Sequence, residues 1–269
     1  MGSRRTVWLL AAGTLLLGGC QMDANNAAWI GQPRMEAGLV LVLPGIEGVS
    51  TLNHRIREGL KEAGVPAAMP IYAWGRPLGP LAPLINQVDV RGNRAQARRL
   101  AKVILDYQEA YPDRPVWIVG HSGGGAMAVF VAEALPPERP IDGLVLLSPS
   151  LSRRYDLGRS LRRCRRGIVN FYNPRDVALL GVGTTLLTNV DGARGLAGGL
   201  TGFTAPADPE RQRLYAEKLH QIGLGPDLTG GYEPHSSATH PEFVAEHVAP
   251  WVAARNWPAL QDAHIARGP

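Results

Sequence analysis

VWIVGHSGGGAMAVFVAEAL, residues 116–135, is the stretch from which the fold is read. Its first residues, VWIVG, form a short apolar run that suits a strand buried on both faces. From Gly124 to Leu135 the apolar character lasts long enough for a helix, and Pro136-Pro137 stops it. A strand passing straight into a helix leaves Gly120-His121-Ser122-Gly123-Gly124 as the turn, in the pattern G-x-S-x-G. So sharp a turn tolerates no bulk beside the serine, and it lifts the Ser122 hydroxyl clear of the sheet at a helix N-terminus. There the Gly123 amide can face a developing oxyanion. The bland alternative is a serine capping a helix in a glycine-rich connection. The strand before it and the helix after it weigh against that reading.

Working outward, the same alternation recurs. LVLVLPG (39–45) is a continuous apolar run closed by Pro-Gly and reads as a buried strand. STLNHRIREGLKEAG (50–64) sets Leu52, Ile56 and Leu60 on one helical face, with Ser50 or Thr51 as N-cap and Gly64 at the stop. AAMPIYAW (67–74) reads as a strand with Pro70 inside it. Residues 93–111 carry Ala97, Leu100, Ala101, Ile104 and Leu105 at helical spacing. LVLLSPS (144–150) and IVNFY (168–172) are further strands. A glycine-rich stretch (181–204), a helix near 208–219 and a strand around 220–224 follow. The last helix starts after Pro241, with Val244, Val248, Trp251 and Val252 on one face. Strands alternating with helices predict an α/β fold, a single domain with a mostly parallel central sheet and helices on both faces.

Composition agrees with a globular chain. Of 269 residues 45% are apolar and 19% charged, and 32 glycines with 22 prolines stay below the roughly 25–30% share of low-complexity sequences. A net charge of +5 is too small a surplus to point to nucleic acid. No H-E-x-x-H or C-x-x-C spacing occurs, so no metal site is expected, and no other cofactor is called for.

With the serine turn and the element order in place, residues 39 to about 257 resemble the α/β-hydrolase superfamily, in its serine esterase and lipase form. The resemblance implies the chain order nucleophile, acid, histidine. A serine hydroxyl is a poor nucleophile near neutral pH, so it needs a base, and the base needs an orienting carboxylate. The acid implied is Asp176, just past the strand in IVNFYNPRD, with Asp191 and Asp227 as competitors. The base implied is His235 in GGYEPHSSATHPEFV, with His240 as its rival at the start of the last helix. His121 should point away beside the turn. Gly123 supplies one oxyanion N–H, and the second is assigned by position to Ile46 in Pro44-Gly45-Ile46-Glu47-Gly48, where many members carry His-Gly. Glu47 is either a helix-start carboxylate or a substrate contact. The reaction implied is hydrolysis of a carboxylic ester, of a lipid or a small molecule, through an acyl-enzyme. Acyl transfer by the same triad and a non-catalytic binding module are the alternatives.

The first twenty residues, MGSRRTVWLLAAGTLLLGGC, place Arg4 and Arg5 before an apolar run from Val7 to Leu17 and small residues before Cys20. That is a secretory signal layout, too short to span a bilayer comfortably. Leu17-Gly18-Gly19-Cys20 resembles the lipobox of bacterial lipoproteins, which implies removal of the signal and acylation of Cys20. Gln21, in place of aspartate, implies an outer-membrane protein facing the periplasm. The expected division is a signal peptide (1–19), a lipid-anchored polar tether (20–37), a hydrolase domain (38–257) and a C-terminal tail (258–269). The expected partners are an ester substrate and the membrane that holds the anchor. Seven arginines between 153 and 166 read as a solvated helix face, with contact to anionic lipid head groups as the sharper alternative. Cys164 among them would have a lowered thiol pKa if exposed. Residues 181–204 read as a flexible stretch bordering the site.

Overall fold

Apolar residues in consecutive rather than alternate positions require a strand covered on both faces. In the computed structural model, which describes residues 24–76, 81–177, 188–253 and 257, all five residues of β1 (Leu39–Leu43) are buried. It is followed by β2 (Val116–His121), β3 (Ile141–Leu147), β4 (Cys164–Tyr172) and β5 (Leu219–Gly223). The five lie side by side in chain order, every pair parallel, with Leu43 opposite Gly120 and His121 opposite Leu147. All the strands therefore end on one side of the molecule, and the loops leaving those ends converge there.

Successive strand residues point to opposite faces. Leu39, Leu41, Leu43, Ile118, Leu144 and Leu146 meet α4 (Val90–Ala110) and α5 (Gly123–Ala134). Val40, Val42, Val119, Val145 and Leu147 meet α2 (Thr51–Glu62) and a last helix, α8. α8 runs through Pro241–Phe243, a π turn at Val244–Val248, and Ala249–Ala253. The smaller helices are α1 (Gln32–Ala37), α3 (Ala82–Val88), α6 (Gly158–Arg162) and α7 (Pro209–Lys218). α4 starts earlier than its apolar stripe suggests, because Asp89 accepts the Gly92 N–H at 2.9 Å and caps it. The α/β architecture with helices on both faces is as the residue pattern implies.

Several expectations change. Residues 67–74 do not form a full strand. They run along the outer edge of β1 with isolated bridges at Ala68 and Ile71, since Pro70 has no N–H to continue a ladder. The stretch expected as a polar tether is built into the fold from Ala24 onward. Asn26 is buried, donates to the Ile71 carbonyl at 2.9 Å and accepts the Ile71 N–H at 2.9 Å, while Met69 N–H donates to the Trp29 carbonyl. The segment thus covers a sheet edge that would otherwise be open to pairing. Residues 188–204 of the glycine-rich stretch are packed: Asn189 and Val190 are buried and Ala197 bridges Ser152. Residues 181–187 lie outside the described residues, as do residues 1–23, which carry the signal layout and Cys20.

The seven arginines do not share a helix face. Only Arg159 and Arg162 lie on α6, while Arg163 donates to the Leu135 carbonyl, Arg165 pairs with Asp142 and Arg166 lies over Trp117. Cys164 is buried rather than exposed, and burial pushes its thiol up, away from reactivity.

Asn26→Ala leaves the Ile71 N–H and carbonyl without these partners. Its unfolding free energy in urea is expected to fall by about 1–3 kcal/mol. A fall below about 0.5 kcal/mol, the range of neutral surface changes, would mean that the docked segment adds no stability.

Candidate active site

Ser122 sits where β2 becomes α5, with φ 53° and ψ −120°, a left-handed value that a side chain rarely adopts. Three backbone bonds hold it. Its N–H donates to the Leu147 carbonyl at 2.9 Å, and its carbonyl accepts the N–H groups of Gly125 and Ser150, each at 3.0 Å. The glycines around it have no space for a side chain. A Cβ on Gly120 would strike the Gly124 carbonyl, and one on Gly124 would strike the carbonyls of Leu43 and Pro44.

The loop after β1 closes over this turn. A Cβ on Gly123 would lie 2.7 Å from Ile46 Cγ2 and 3.2 Å from Ile46 N, so the two backbone N–H groups assigned to an oxyanion are neighbours. Neither donates a hydrogen bond among the described residues. Two side chains fix the loop from behind: Trp74 Nε1 donates to the Pro44 carbonyl at 2.7 Å and Asn86 Nδ2 to the Ile46 carbonyl at 3.0 Å. Holding the Ile46 carbonyl fixes the plane of the peptide after Ile46. Glu47 follows, with Oε1 accepting from Ser50 Oγ at 3.3 Å at the start of α2, in keeping with a helix-start carboxylate. Its carboxyl turns back over Gly45, where desolvation raises its pKa against the pull of nearby His235.

Asp176 and His235 come from loops 59 residues apart and meet at 2.5 Å, His235 Nδ1 to Asp176 Oδ2. A carboxylate only accepts, so Nδ1 carries the proton and Nε2 is left as the basic nitrogen. Ser122 Oγ makes no hydrogen bond to His235 in the described structure, but the ring of the adjacent His121 lies 4.9 Å from the His235 ring. The competitors are elsewhere. His240 stands at the N-cap position of α8 with its ring stacked on Tyr232 at 3.5 Å, Asp227 is exposed in a short helical turn, and Asp191 accepts from Ser152 N–H in the 188–204 stretch.

Several residues missed in the sequence hold this arrangement. His121 does not point away: buried, it donates from Nε2 to the His235 carbonyl at 3.0 Å. Asn173, fully buried at the end of β4, donates to the Pro234 carbonyl at 3.0 Å and to Ser237 Oγ at 3.3 Å. Glu233 accepts the His235 and Ser236 N–H groups at 3.0 and 2.9 Å; desolvation opposes its charge, yet these bonds and His235 hold its pKa below the ordinary value. The Gly-His-Ser order placed His121 next to the site, but only the folded loop shows which way it faces. No group of three His, Cys, Asp or Glu side chains among the described residues is spaced to hold a metal ion.

Residues 85–142, from α3 across the Ser122 turn into β3, match the model of the family Lipase (class 3). Monoglyceride lipase of Mus musculus is 36% identical over 69 residues, 25% of this chain and 22% of that protein. The chain is similar to lipases around its serine turn. The Rattus norvegicus monoglyceride lipase is 30% identical over 77 residues, 29% of this chain and 25% of that protein, so the match spans at most a quarter of either relative. Among solved structures, Est1E from Butyrivibrio proteoclasticus has 13% identity and a TM-score of 0.46, covering 86% of this chain and 90% of that one. A dienelactone hydrolase from Anabaena variabilis has 18% identity and a TM-score of 0.44, covering 80% and 85%.

Burial pushes the His121 imidazole down to about 3, and His235 beside it adds to the effect. In the unfolded chain the same group titrates near about 6.5. Between these values the unfolded chain binds a proton that the folded chain refuses, so stability falls as the pH drops through the window. His121→Gln is expected to lose urea midpoint less steeply than wild type between about pH 6.5 and about pH 4. Equal slopes would show that His121 does not carry this dependence.

Proposed function

We propose that the protein is a serine hydrolase that cleaves carboxylic esters, with Ser122 as nucleophile, His235 as base and Asp176 as its orienting acid. The observation that carries this reading is the 2.5 Å contact between His235 Nδ1 and Asp176 Oδ2, made by two separate loops at the strand ends that bear Ser122. Similarity to lipases over 85–142 supports the same class.

Ser122 Oγ attacks the ester carbonyl as its proton passes to His235 Nε2, and Asp176 stabilises the imidazolium. The carbonyl oxygen, now an anion, accepts from the Gly123 and Ile46 N–H groups. When the tetrahedral intermediate collapses, the alcohol leaves with the proton from His235, and the acyl group stays on Ser122. Water then attacks with His235 again as base, releasing the acid and restoring the serine. Cys20 is the proposed lipid attachment, on the strength of the stretch 4–20, and gives an outer-membrane protein facing the periplasm.

A fluorophosphonate probe is expected to label wild type and not Ser122→Ala. Turnover of a short-chain ester by His235→Ala and Asp176→Asn is expected to fall by about ten-thousand-fold. Labelling of the alanine variant at the wild-type level would remove Ser122 from the reaction. For the anchor, radiolabelled palmitate should enter the wild-type protein in cells and not Cys20→Ala; equal labelling would reject the attachment.

A further inference from the structure

α3 is built inside out. Its Asn86 and Gln87 are buried, and Gln87 Nε2 donates to Ser150 Oγ at 3.1 Å and to the Thr188 carbonyl at 2.5 Å. Leu81, at its start, and Leu84 and Val88, at i, i+3 and i+7, are 63%, 49% and 48% exposed. A surface helix of a globular protein ordinarily has the reverse pattern, with its apolar stripe inward.

The stripe has company. Seven large apolar side chains are exposed among the described residues, and six of them lie on this helix or on loops that carry the site. Val49 follows Ile46 and Glu47, Val177 follows Asp176, and Tyr232 precedes His235 in the same loop. These loops leave the ends of parallel strands, so the apolar side chains share the end of the molecule that holds Ser122. Six large apolar side chains exposed at one end of the molecule call for something to cover them.

The N-terminal segment indicates what that is. Asn26 is pinned to Ile71, beside Val42 near the end of β1, and from there the chain runs back to Met35, whose carbonyl takes the Tyr107 hydroxyl at the opposite end of the strands. The chain before Asn26 therefore joins the domain at its catalytic end. Cys20 stands six residues before Asn26, a reach of at most about 20–22 Å when fully extended. An acyl chain on Cys20 would hold a bilayer within that distance of Asn26, at the end of the molecule that carries the apolar rim. A second copy of the chain or a soluble partner would leave this placement without a reason.

We infer that the outward stripe of α3 and the rim around it are a membrane-docking face, which seats the mouth of the Ser122 site on the bilayer that holds the anchor. The choice of occupant rests on the Cys20 reading. An ester dissolved in that bilayer then reaches the site without crossing water, as apolar side chains sink into the boundary of head groups and acyl chains.

The full chain carrying Cys20→Ala and Leu84→Cys, labelled with an environment-sensitive dye, is mixed with vesicles of phosphatidylethanolamine and phosphatidylglycerol. Cys164 is buried, and Arg159→Cys on α6, just before the start of β4, serves as the control position. The dye at 84 is expected to shift to the blue with vesicles and the dye at 159 to stay unchanged. No shift at 84, or equal shifts at both positions, overturns the proposal. A shift at 84 that needs no vesicles and grows with protein concentration gives the stripe to a second copy and also overturns it. In a second arm, Leu81→Ser, Leu84→Ser and Val88→Ser together are expected to cut turnover of a long-chain ester in vesicles by about tenfold, with a water-soluble ester unaffected. Equal losses on both esters would count against docking. The dye reads docking without chemistry or acylation, so failure of the Ser122 or Cys20 assignment shows separately, in probe and palmitate labelling.

Discussion

The first turn of α5 rests directly on the backbone of β1 and β2, and the site depends on that close approach. A side chain at 124 would drive the helix off the carbonyls of Leu43 and Pro44, and one at 120 would strike the Gly124 carbonyl in the helix's first turn. Bare backbone at these positions lets the chain leave β2 and enter α5 with one residue, Ser122, absorbing the change of direction in a left-handed conformation. Such a conformation costs about 1–3 kcal/mol and persists only when its surroundings over-determine it. Here they do, through the bonds of Ser122 to Leu147, Gly125 and Ser150, which tie the turn to the end of β3. The same approach brings Ile46 against Gly123, so one packing contact sets both the hydroxyl and the two amides.

Around this fixed point the other loops are held by one device, a side chain on a rigid element that donates to a loop carbonyl. Trp74 takes the carbonyl of Pro44, Asn86 that of Ile46, Asn173 that of Pro234 and His121 that of His235. A loop bound by its carbonyls keeps its N–H groups available. The Ile46 N–H accordingly donates to no other group among the described residues. In the His235 loop the N–H groups go instead to Glu233, so the segment is tied from both sides and the imidazole stays on Asp176. The Trp74 tie is buried, where a lost partner costs more than in water, and the Asn86, Asn173 and His121 ties are partly so.

Much of this was legible in the residues. Strand and helix order follow from apolar runs and their spacing, and the meeting of Asp176 with His235 follows from strand-end position and from the chain order that the resemblance implies. Where the reading of the residues failed, long-range partners decided. Pro70 made residues 67–74 look like a poor strand, but nothing local indicated that Asn26 would pair with Ile71 from the far side. Residues 24–37 read as tether because residues such as Asn26 and Arg34 are polar, yet Arg34 lies over the Trp29 ring, and Arg57 of α2 both lies over the same ring and donates to Asn26. The arginines at 153–166 are close in sequence and scattered in space, because a loop, a short helix and a strand divide them. His121, Asn173 and Glu233 carry no motif. Their roles exist only once two distant loops meet.

The unusual face of α3 follows from the needs of the loop beneath it. Asn86 must reach the Ile46 carbonyl and Gln87 the Ser150 hydroxyl, so these two adjacent residues fix which way the helix is turned. At 3.6 residues per turn, 81, 84 and 88 then lie on the opposite side, whatever residues occupy them. Rotation is therefore set by the site, but composition is not. Lysine or glutamate at 81, 84 and 88 would serve the fold as well, since nothing among the described residues covers those side chains enough to bury them. Two leucines and a valine there gain nothing from the core and expose apolar surface to water. A surface outside the chain, next to the loop that carries Ile46, is what gives them a role.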